Sequence, residues 1–338
     1  MATNKRLINA GGGSFPPISN SFNTVEWVGT GSNQSITGVG FNPDLIITKS
    51  LAAAPGANVF DVARGNYTLY LYLNNGQDNF SSVMDFTSAN TDGFDLIGSS
   101  SSFNNSGVDY TAYCWKGGGP TISNTDGNYT TDVSANIEAG FSVVKYSSFN
   151  YANWTLGHGL DSAPEFMIAK SLGARDWTAW IKDSSGNLLR YKQWDNPAQS
   201  AGLSVNDTLI TIGASSTDWN ENYNTFVFYC WHSVPGYSSF SSYVGSGSAG
   251  NAVNLGFEPA FVMIKNSETT NNFLIFDNKR NPSNPRDIVV SPLNSDGSLP
   301  AGDNAINFTS NGFEFTSNGT SVNTSGQKYS YVAFANQF

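Results

Sequence analysis

Gly256-Phe257-Glu258-Pro259-Ala260-Phe261-Val262-Met263-Ile264-Lys265 decides how the chain is read, because the phrase occurs three times. Gly40-Phe41-Asn42-Pro43-Asp44-Leu45-Ile46-Ile47-Thr48-Lys49 keeps the same cadence, and Gly159 to Lys170 repeats it with two extra residues. Each copy is a glycine turn, a proline, an apolar run and a lysine. Glycine permits the tight turn, and proline can open a strand, where its missing N–H does no harm. Three or four apolar residues are too few for a helix and predict a buried strand. The closing lysine is expected to hold its ammonium at the wet end of that strand. Three copies define an internal repeat.

Working outward, an aromatic strand precedes each copy: Trp27 lies 22 residues before Lys49, Tyr146 lies 24 before Lys170, and Tyr243 lies 22 before Lys265. A closing strand follows, ending Tyr113-Cys114-Trp115, Tyr229-Cys230-Trp231 and Val332-Ala333-Phe334. Cys114, Cys230 and Ala333 stand 65, 60 and 68 residues after the three lysines, so the spacing of the fixed strands holds while the middles vary. Variable middles between fixed strands behave as loops on a scaffold. Within the first middle, Tyr67 to Leu73 alternates tyrosine and leucine after Thr68, a strand closed by the turn Asn74-Asn75-Gly76. Asp92-Gly93-Phe94 and Asn311-Gly312-Phe313 are matching turn-to-strand entries, and the second copy lacks this glycine.

Composition agrees with an all-β chain. Charged residues make up 12%, about half the usual share, while aromatics reach 14%. Such aromatic content separates the chain from disordered polar sequences. At 338 residues it is too long for one hydrophobic core, and units of about 100 residues are expected. The predicted fold is all-β, three tandem β-sandwich repeats of jelly-roll type. They span residues 21–116, 141–232 and 233–338, with an N-terminal attachment arm over 1–20 and a connector over 117–140. Within that connector, Thr121–Ser123 and Tyr129–Val133 are expected to pair as a small hairpin. The second connector, His232 to Tyr237, is short, so the second and third domains should pack closely. Cys114 and Cys230 occupy equivalent places in separate repeats, too far apart for a disulfide, and read as buried thiols.

A net charge of −10 argues against a nucleic-acid partner and against an anionic membrane surface. No apolar run approaches a membrane span, and the first 20 residues carry Lys5 and Arg6 without the apolar core of a secretory signal.

The run Tyr113-Cys114-Trp115-Lys116-Gly117-Gly118-Gly119-Pro120 resembles repeat domains of bacteriophage virion proteins. So do Ser123-Asn124-Thr125-Asp126-Gly127, Ala139-Gly140-Phe141-Ser142-Val143-Val144 and Pro235-Gly236-Tyr237-Ser238-Ser239-Phe240. Such domains are typical of tail and particle-surface proteins of marine and cyanobacterial phages. The resemblance implies a location on a virion and carries no catalytic motif to transfer.

Catalytic constellations are sparse. His158 lies in a Gly-His-Gly turn and His232 opens a connector, and neither has a nucleophile or metal partner at a known spacing. Asp176, Asp183, Asp195, Asp207 and Asp218 are spread among tryptophans in the second repeat. Each is read as a strand end or turn, and the competing reading is a carbohydrate site. In it Trp177, Trp180, Trp194 and Trp219 stack on sugar rings while carboxylates grip hydroxyls, as a glycan-cleaving enzyme would also require. Asn294-Ser295-Asp296-Gly297 lacks the alternating carboxylates of a calcium loop. No cofactor or metal is expected. The function expected is therefore non-enzymatic: a surface-exposed knob or decoration on a phage capsid, attached through Lys5, Arg6 and the arm to the major capsid protein or to tail proteins. The alternative is a tail-fibre or receptor-binding protein that recognises a host-surface glycan.

Overall fold

The computed structural model describes residues 20–52, 56–70, 78–79, 84–85, 90–148, 153–193, 196–213, 219, 224–292 and 297–335. Apart from a single 3-10 turn at Gly302–Asn304, the regular structure of these residues is all strand. The first unit holds β1 (Phe22–Val28), β2 (Gln34–Thr37), β3 (Leu45–Ser50), β4 (Asn58–Asp61), β5 (Gly65–Tyr70), β6 (Asp78–Asn79), β7 (Met84–Asp85), β8 (Gly93–Leu96) and β9 (Asp109–Trp115). A hairpin follows, β10 (Ile122–Asn124) and β11 (Thr131–Asn136). The second unit holds β12 (Phe141–Ser148), β13 (Trp154–Gly157), β14 (Phe166–Ser171), β15 (Thr178–Lys182), β16 (Leu188–Lys192), β17 (Gln199–Ser200), β18 (Leu203–Val205), β19 (Leu209–Ile212) and β20 (Asn224–Trp231). The third holds β21 (Ser238–Val244), β22 (Ala252–Asn254), β23 (Pro259–Asn266), β24 (Leu274–Asp277), β25 (Ile288–Val289), β26 (Leu299–Pro300), β27 (Ile306–Thr309), β28 (Gly312–Phe315) and β29 (Lys328–Ala335).

The same pairing occurs in each unit. The opening strand pairs with the closing strand, which pairs with the strand of the repeated phrase: β1-β9-β3, β12-β20-β14 and β21-β29-β23. A hairpin partner, β4, β15 or β24, comes next. Opposite each large sheet lies a three-stranded one: β2-β8-β7, β13-β19-β18 and β22-β28-β27. In the first unit the chain crosses between sheets at β1–β2–β3, at β6–β7 and at β8–β9, as a jelly roll does, but β3 to β6 meander within one sheet. The glycines that open the phrase, Gly40, Gly159 and Gly256, sit at φ of 86°, 72° and 83°, a region costly for other residues. Gly93 and Gly312 enter β8 and β28 where an added Cβ would fall 1.8 Å from the Ile36 carbonyl oxygen and 2.0 Å from that of Val253. In the second unit the glycine moves to the facing strand, because Gly157 pairs with Leu209 where Thr37 pairs with Gly93.

Strand alternation sends two sets of side chains to two destinations. On β9, β20 and β29, Ala112 with Cys114, Phe228 with Cys230, and Tyr331 with Ala333 face the three-stranded sheets and build one core per unit. Between them, Tyr113 with Trp115, Tyr229 with Trp231, and Val332 with Phe334 face the other way into one core shared by all three units. At its centre Trp115 contacts Trp231 at 5.6 Å and Phe334 at 5.7 Å, and Phe22 stacks on Phe334 at 4.7 Å.

The all-β expectation holds, and each unit has a core of its own. A chain of this length needs more than one core, and the fourth is common property. The hairpin expected within the connector forms, as β10 and β11 pair with Ile122 opposite Val133, and it extends the large sheet of the second unit to eight strands. The short second connector does join units that pack together. Strand β5 covers the start of the Tyr67 run, whereas Asn74-Asn75-Gly76 lies outside the described residues. No helix among the described residues is long and apolar enough to cross a membrane.

Candidate functional site: the seams between the units

The sequence pointed to four tryptophans. Trp177, Trp180 and Trp219 are 2%, 0% and 2% exposed, so none offers a face to a sugar ring; Trp194 lies outside the described residues. Their roles are in packing. Trp180 meets Trp219 edge-on at 5.0 Å inside the core of the second unit, and Trp177 belongs to the shared core. Trp219 also completes a contact found in every unit. The indole of Trp27 donates to the Phe103 carbonyl at 3.0 Å, Tyr146 donates its hydroxyl to the Trp219 carbonyl, and Tyr243 donates to the Val322 carbonyl at 2.7 Å. Lys5, Arg6, Asp195 and Asp218 fall outside the described residues.

The lysines of the phrase are not at a wet end. Lys49, Lys170 and Lys265 are 1%, 1% and 0% exposed. Lys170 Nζ donates to the carbonyls of Ser171 at 2.7 Å and Gly173 at 2.9 Å, and Lys265 Nζ to those of Asn266 and Thr269 at 2.6 and 2.7 Å. Snorkelling is the general habit of lysine, but here the following loop folds back over the ammonium and supplies acceptors.

What sequence reading missed lies where the units meet. Asp61 ends β4, and Arg64 follows three residues later. Arg64 Nε donates to Asp61 Oδ2 at 2.5 Å and an Nη of Arg64 to the Val59 carbonyl at 2.9 Å. The Tyr229 hydroxyl of the second unit donates to the same Asp61 oxygen at 2.6 Å. The third unit repeats this against the first: Arg280 Nε to Asp277 Oδ2 at 2.6 Å, an Nη of Arg280 to the Ile275 carbonyl at 3.0 Å, and the Tyr113 hydroxyl to Asp277 Oδ2 at 3.1 Å. All six side chains are shielded from solvent. Burial alone would pull both guanidiniums down, but the adjacent carboxylates and tyrosines outweigh it and raise Arg64 and Arg280, which stay charged. Burial also lifts the Tyr113 and Tyr229 hydroxyls well above the ordinary phenol range, keeping them as donors. The signal was present in the chain as Phe60-Asp61-Val62-Ala63-Arg64 and Phe276-Asp277-Asn278-Lys279-Arg280.

The third seam uses other groups. Registers place Ile181 where Asp61 and Asp277 stand, and Val332 where Tyr113 and Tyr229 stand. Three residues beyond Ile181, the arginine position holds Ser184, whose N–H donates to Ser242 Oγ at 2.9 Å. Tyr191 from β16 reaches Ser267 Oγ at 2.8 Å and Ser330 Oγ at 2.7 Å across this seam.

The remaining candidates are modest. A cavity of about 30 Å³ in the shared core, between Trp115, Trp231 and Phe261, is lined by apolar residues and by Tyr113. An open groove of about 370 Å³ runs past Ser21, Lys116, Gly118, Asn136 and Ile137, beside the start of β1. Its backbone is anchored from below, because Asp44 Oδ2 accepts the Gly117 N–H at 2.7 Å and Ser134 Oγ accepts that of Gly118 at 3.0 Å. His158 is buried and bridges backbone, with Nε2 at 3.0 Å from the Asn206 carbonyl and Nδ1 accepting from the Leu160 N–H. His232 Nε2 lies 3.3 Å from Asp161. Cys114 and Cys230 are free, and burial pushes both thiols far up. Among the described residues no group of three or more His, Cys, Asp or Glu side chains could hold a metal ion.

No curated protein and no solved structure matches the chain. One family does, over residues 17–337, a span that takes in all three units and the core they share. The chain belongs to the family described as Domain of unknown function (DUF7483).

Proposed function

We propose that this chain is a non-enzymatic structural protein of a bacteriophage particle surface, a knob or decoration on the capsid, with the major capsid protein or tail proteins as partners. One observation carries the reading: Trp115, Trp177, Trp231 and both Asp–Arg–Tyr clusters are buried where the three units meet, joining them into one body. Groups of that kind, when they face a cleft, make enzymes and lectins; here they are used to hold shape. Outward, the large exposed apolar side chains among the described residues are Val28, Ile122, Ile137, Val244 and Leu299, on a chain of net charge −10. Such a surface suits a solvated projection. Attachment falls to residues 1–20 with Lys5 and Arg6, and Ser21, next in the chain, lines the groove with Lys116. Exposed ion pairs contribute little, so main-chain pairing along a groove or strand edge supplies most of the affinity. Deleting residues 2–20 and mixing the product with phage particles that lack this protein tests the proposal. Loss of sedimentation with particles is expected, and undiminished binding would remove the arm from it. Labelled cryo-microscopy of intact particles then separates a head position from a tail position.

A further inference from the structure

The three units are arranged head to tail, and their contacts close on themselves. Each seam joins the hairpin strand of one unit to the closing strand of the next. Asp61 of the first unit accepts from Tyr229 of the second, and Asp277 of the third accepts from Tyr113 of the first. Between the second and third units, β15 packs on β29 in the same sense. A second contact runs the same way round. The carbonyl two residues past the phrase lysine takes an N–H from the preceding unit: Ser267 from Ala198 at 2.7 Å, and Leu51 from Ser298 at 3.0 Å. A head-to-tail contact that repeats in one direction and closes after three steps amounts to a threefold rotation, so the single chain has the form of a closed trimer. Its axis runs through the shared core, where Trp115, Trp231 and Phe334 hold one position.

The registers place matching features at one end of that axis. Phe22 at the start of β1 and Leu45 at the start of β3 both pair with Trp115 at the end of β9. Phe141 and Phe166 meet Trp231 in the same way, and Ser238 and Phe261 meet Phe334. The turns that open the three phrases therefore emerge together, at the end of the body that holds Ser21 and Lys116. They are built alike. Gly40, Gly159 and Gly256 turn the chain at positive φ, and Phe41, Leu160 and Phe257 are buried behind them. Pro43, Pro164 and Pro259 are buried where the strands begin, and Asn42, Asp161 and Glu258 are left exposed in between. Asp161 lies 3.3 Å from His232 Nε2 and is still half exposed. Three acceptor side chains thus stand at matching places around one axis.

We propose that these three turns form the docking face of the protein and sit on a threefold axis of the particle shell, each turn meeting the same surface of one of three identical shell subunits. The inference rests on the reading of the chain as a particle-surface protein and adds its site and its stoichiometry. One exposed hydrogen bond or ion pair is weak. Three made together by one rigid body are not, because the first contact holds the other two at high effective concentration. A partner without threefold symmetry would meet one turn and leave two idle. The groups required on each shell subunit are donors, lysine, arginine or an unpaired backbone N–H, since an accepting oxygen is what Asn42, Asp161 and Glu258 have in common.

The test adds the full chain to phage particles that lack it and images them by cryo-microscopy with no symmetry imposed at the binding site. Density centred on threefold or local threefold axes is expected, with the three turns facing the shell and saturation at one chain per three shell subunits. Density at a fivefold vertex, on a twofold axis or beside a single subunit overturns the proposal, and so do turns that face solvent. Binding elsewhere on the particle leaves the particle-surface reading standing and sinks this inference alone, whereas no binding at all sinks both. Asn42→Ala, Asp161→Ala and Glu258→Ala should each weaken binding about fivefold, and the triple variant about a hundredfold. A triple variant that binds as the wild type does also overturns the docking face.

Discussion

Two seams of this molecule are built on a buried Asp–Arg–Tyr cluster, whereas the third has neutral groups at the matching positions and Tyr191 bonded to Ser267 and Ser330 across it. Asp61, Arg64 and Tyr229 join the first unit to the second, and Asp277, Arg280 and Tyr113 join the third to the first. Where the second unit meets the third, Ile181, Ser184 and Val332 occupy the three matching positions, and strand β15 packs against β29 within the shared core. All three members change together. A buried carboxylate without its guanidinium, or the reverse, leaves a charge in low dielectric and costs several kcal/mol. A complete replacement by neutral groups of fitting shape, here Ile181, Ser184 and Val332, removes both the cost and the attraction. The comparison teaches that the cluster is one unit of exchange, and that the fold accepts it or its uncharged counterpart.

The largest expected effect comes from breaking a cluster by half. Asp277→Ala leaves Arg280 buried without its carboxylate and should lose about 3–5 kcal/mol, read as a fall in the urea midpoint. Importing the third seam whole, as Asp277→Ile, Arg280→Ser and Tyr113→Val together, should lose far less, because no charge is then left unpaired. A triple variant less stable than Asp277→Ala would show that the seams are not interchangeable.

Tyr229→Phe should cost about 1–3 kcal/mol, since it strips one donor from a buried carboxylate. Val332→Tyr, which imports the same hydroxyl into the third seam, where Ile181 stands in place of the carboxylate, should destabilise instead of strengthening that contact. Equilibrium unfolding of the two variants side by side checks both signs.

Glu26 offers a smaller, pH-dependent effect. Burial and then Asp277 raise its carboxyl above the ordinary range, with Arg280 opposing. Ionisation is therefore harder in the folded chain, and its stability contribution is present at low pH and lost as pH rises through the raised value. Glu26→Gln should flatten that decline above about pH 4.5 and leave the seam at least as stable at pH 7. A steeper decline in the variant would reverse the assigned sign.

The least effect is expected from thiol reagents on the native protein. Cys114 and Cys230 lie in two different unit cores and are buried as thiols. Native protein should react slowly or not at all, and denatured protein without reductant should titrate two thiols. A count of zero would mean a disulfide.

Much of the scaffold was legible along the chain. The glycine, the apolar run and the flanking aromatic strands are local features, and period-two alternation fixes which residues share a face. Cys114, Cys230 and Ala333 fell at one structural position because a small residue is needed where a large sheet packs on a three-stranded one. The lysines were misjudged because lysine usually reaches water, and whether a loop returns to supply carbonyls is not written in the strand. The tryptophans of the second unit were open to two readings, since an aromatic ring suits a core and a sugar equally well.

By itself, then, the sequence determined an all-β chain with a phrase used three times, the strands on either side of it, and two thiols placed alike. Tertiary structure decided what the second face of each large sheet does. Alternation supplies two apolar faces, but only packing shows that one closes a unit while the other, through Trp115, Trp231 and Phe334, closes all three onto one another. Asp61 and Tyr229 lie 168 residues apart, and nothing local to either specifies the other. The physical reason is that a buried charge requires a partner in space, and proximity in space is a property of the folded whole.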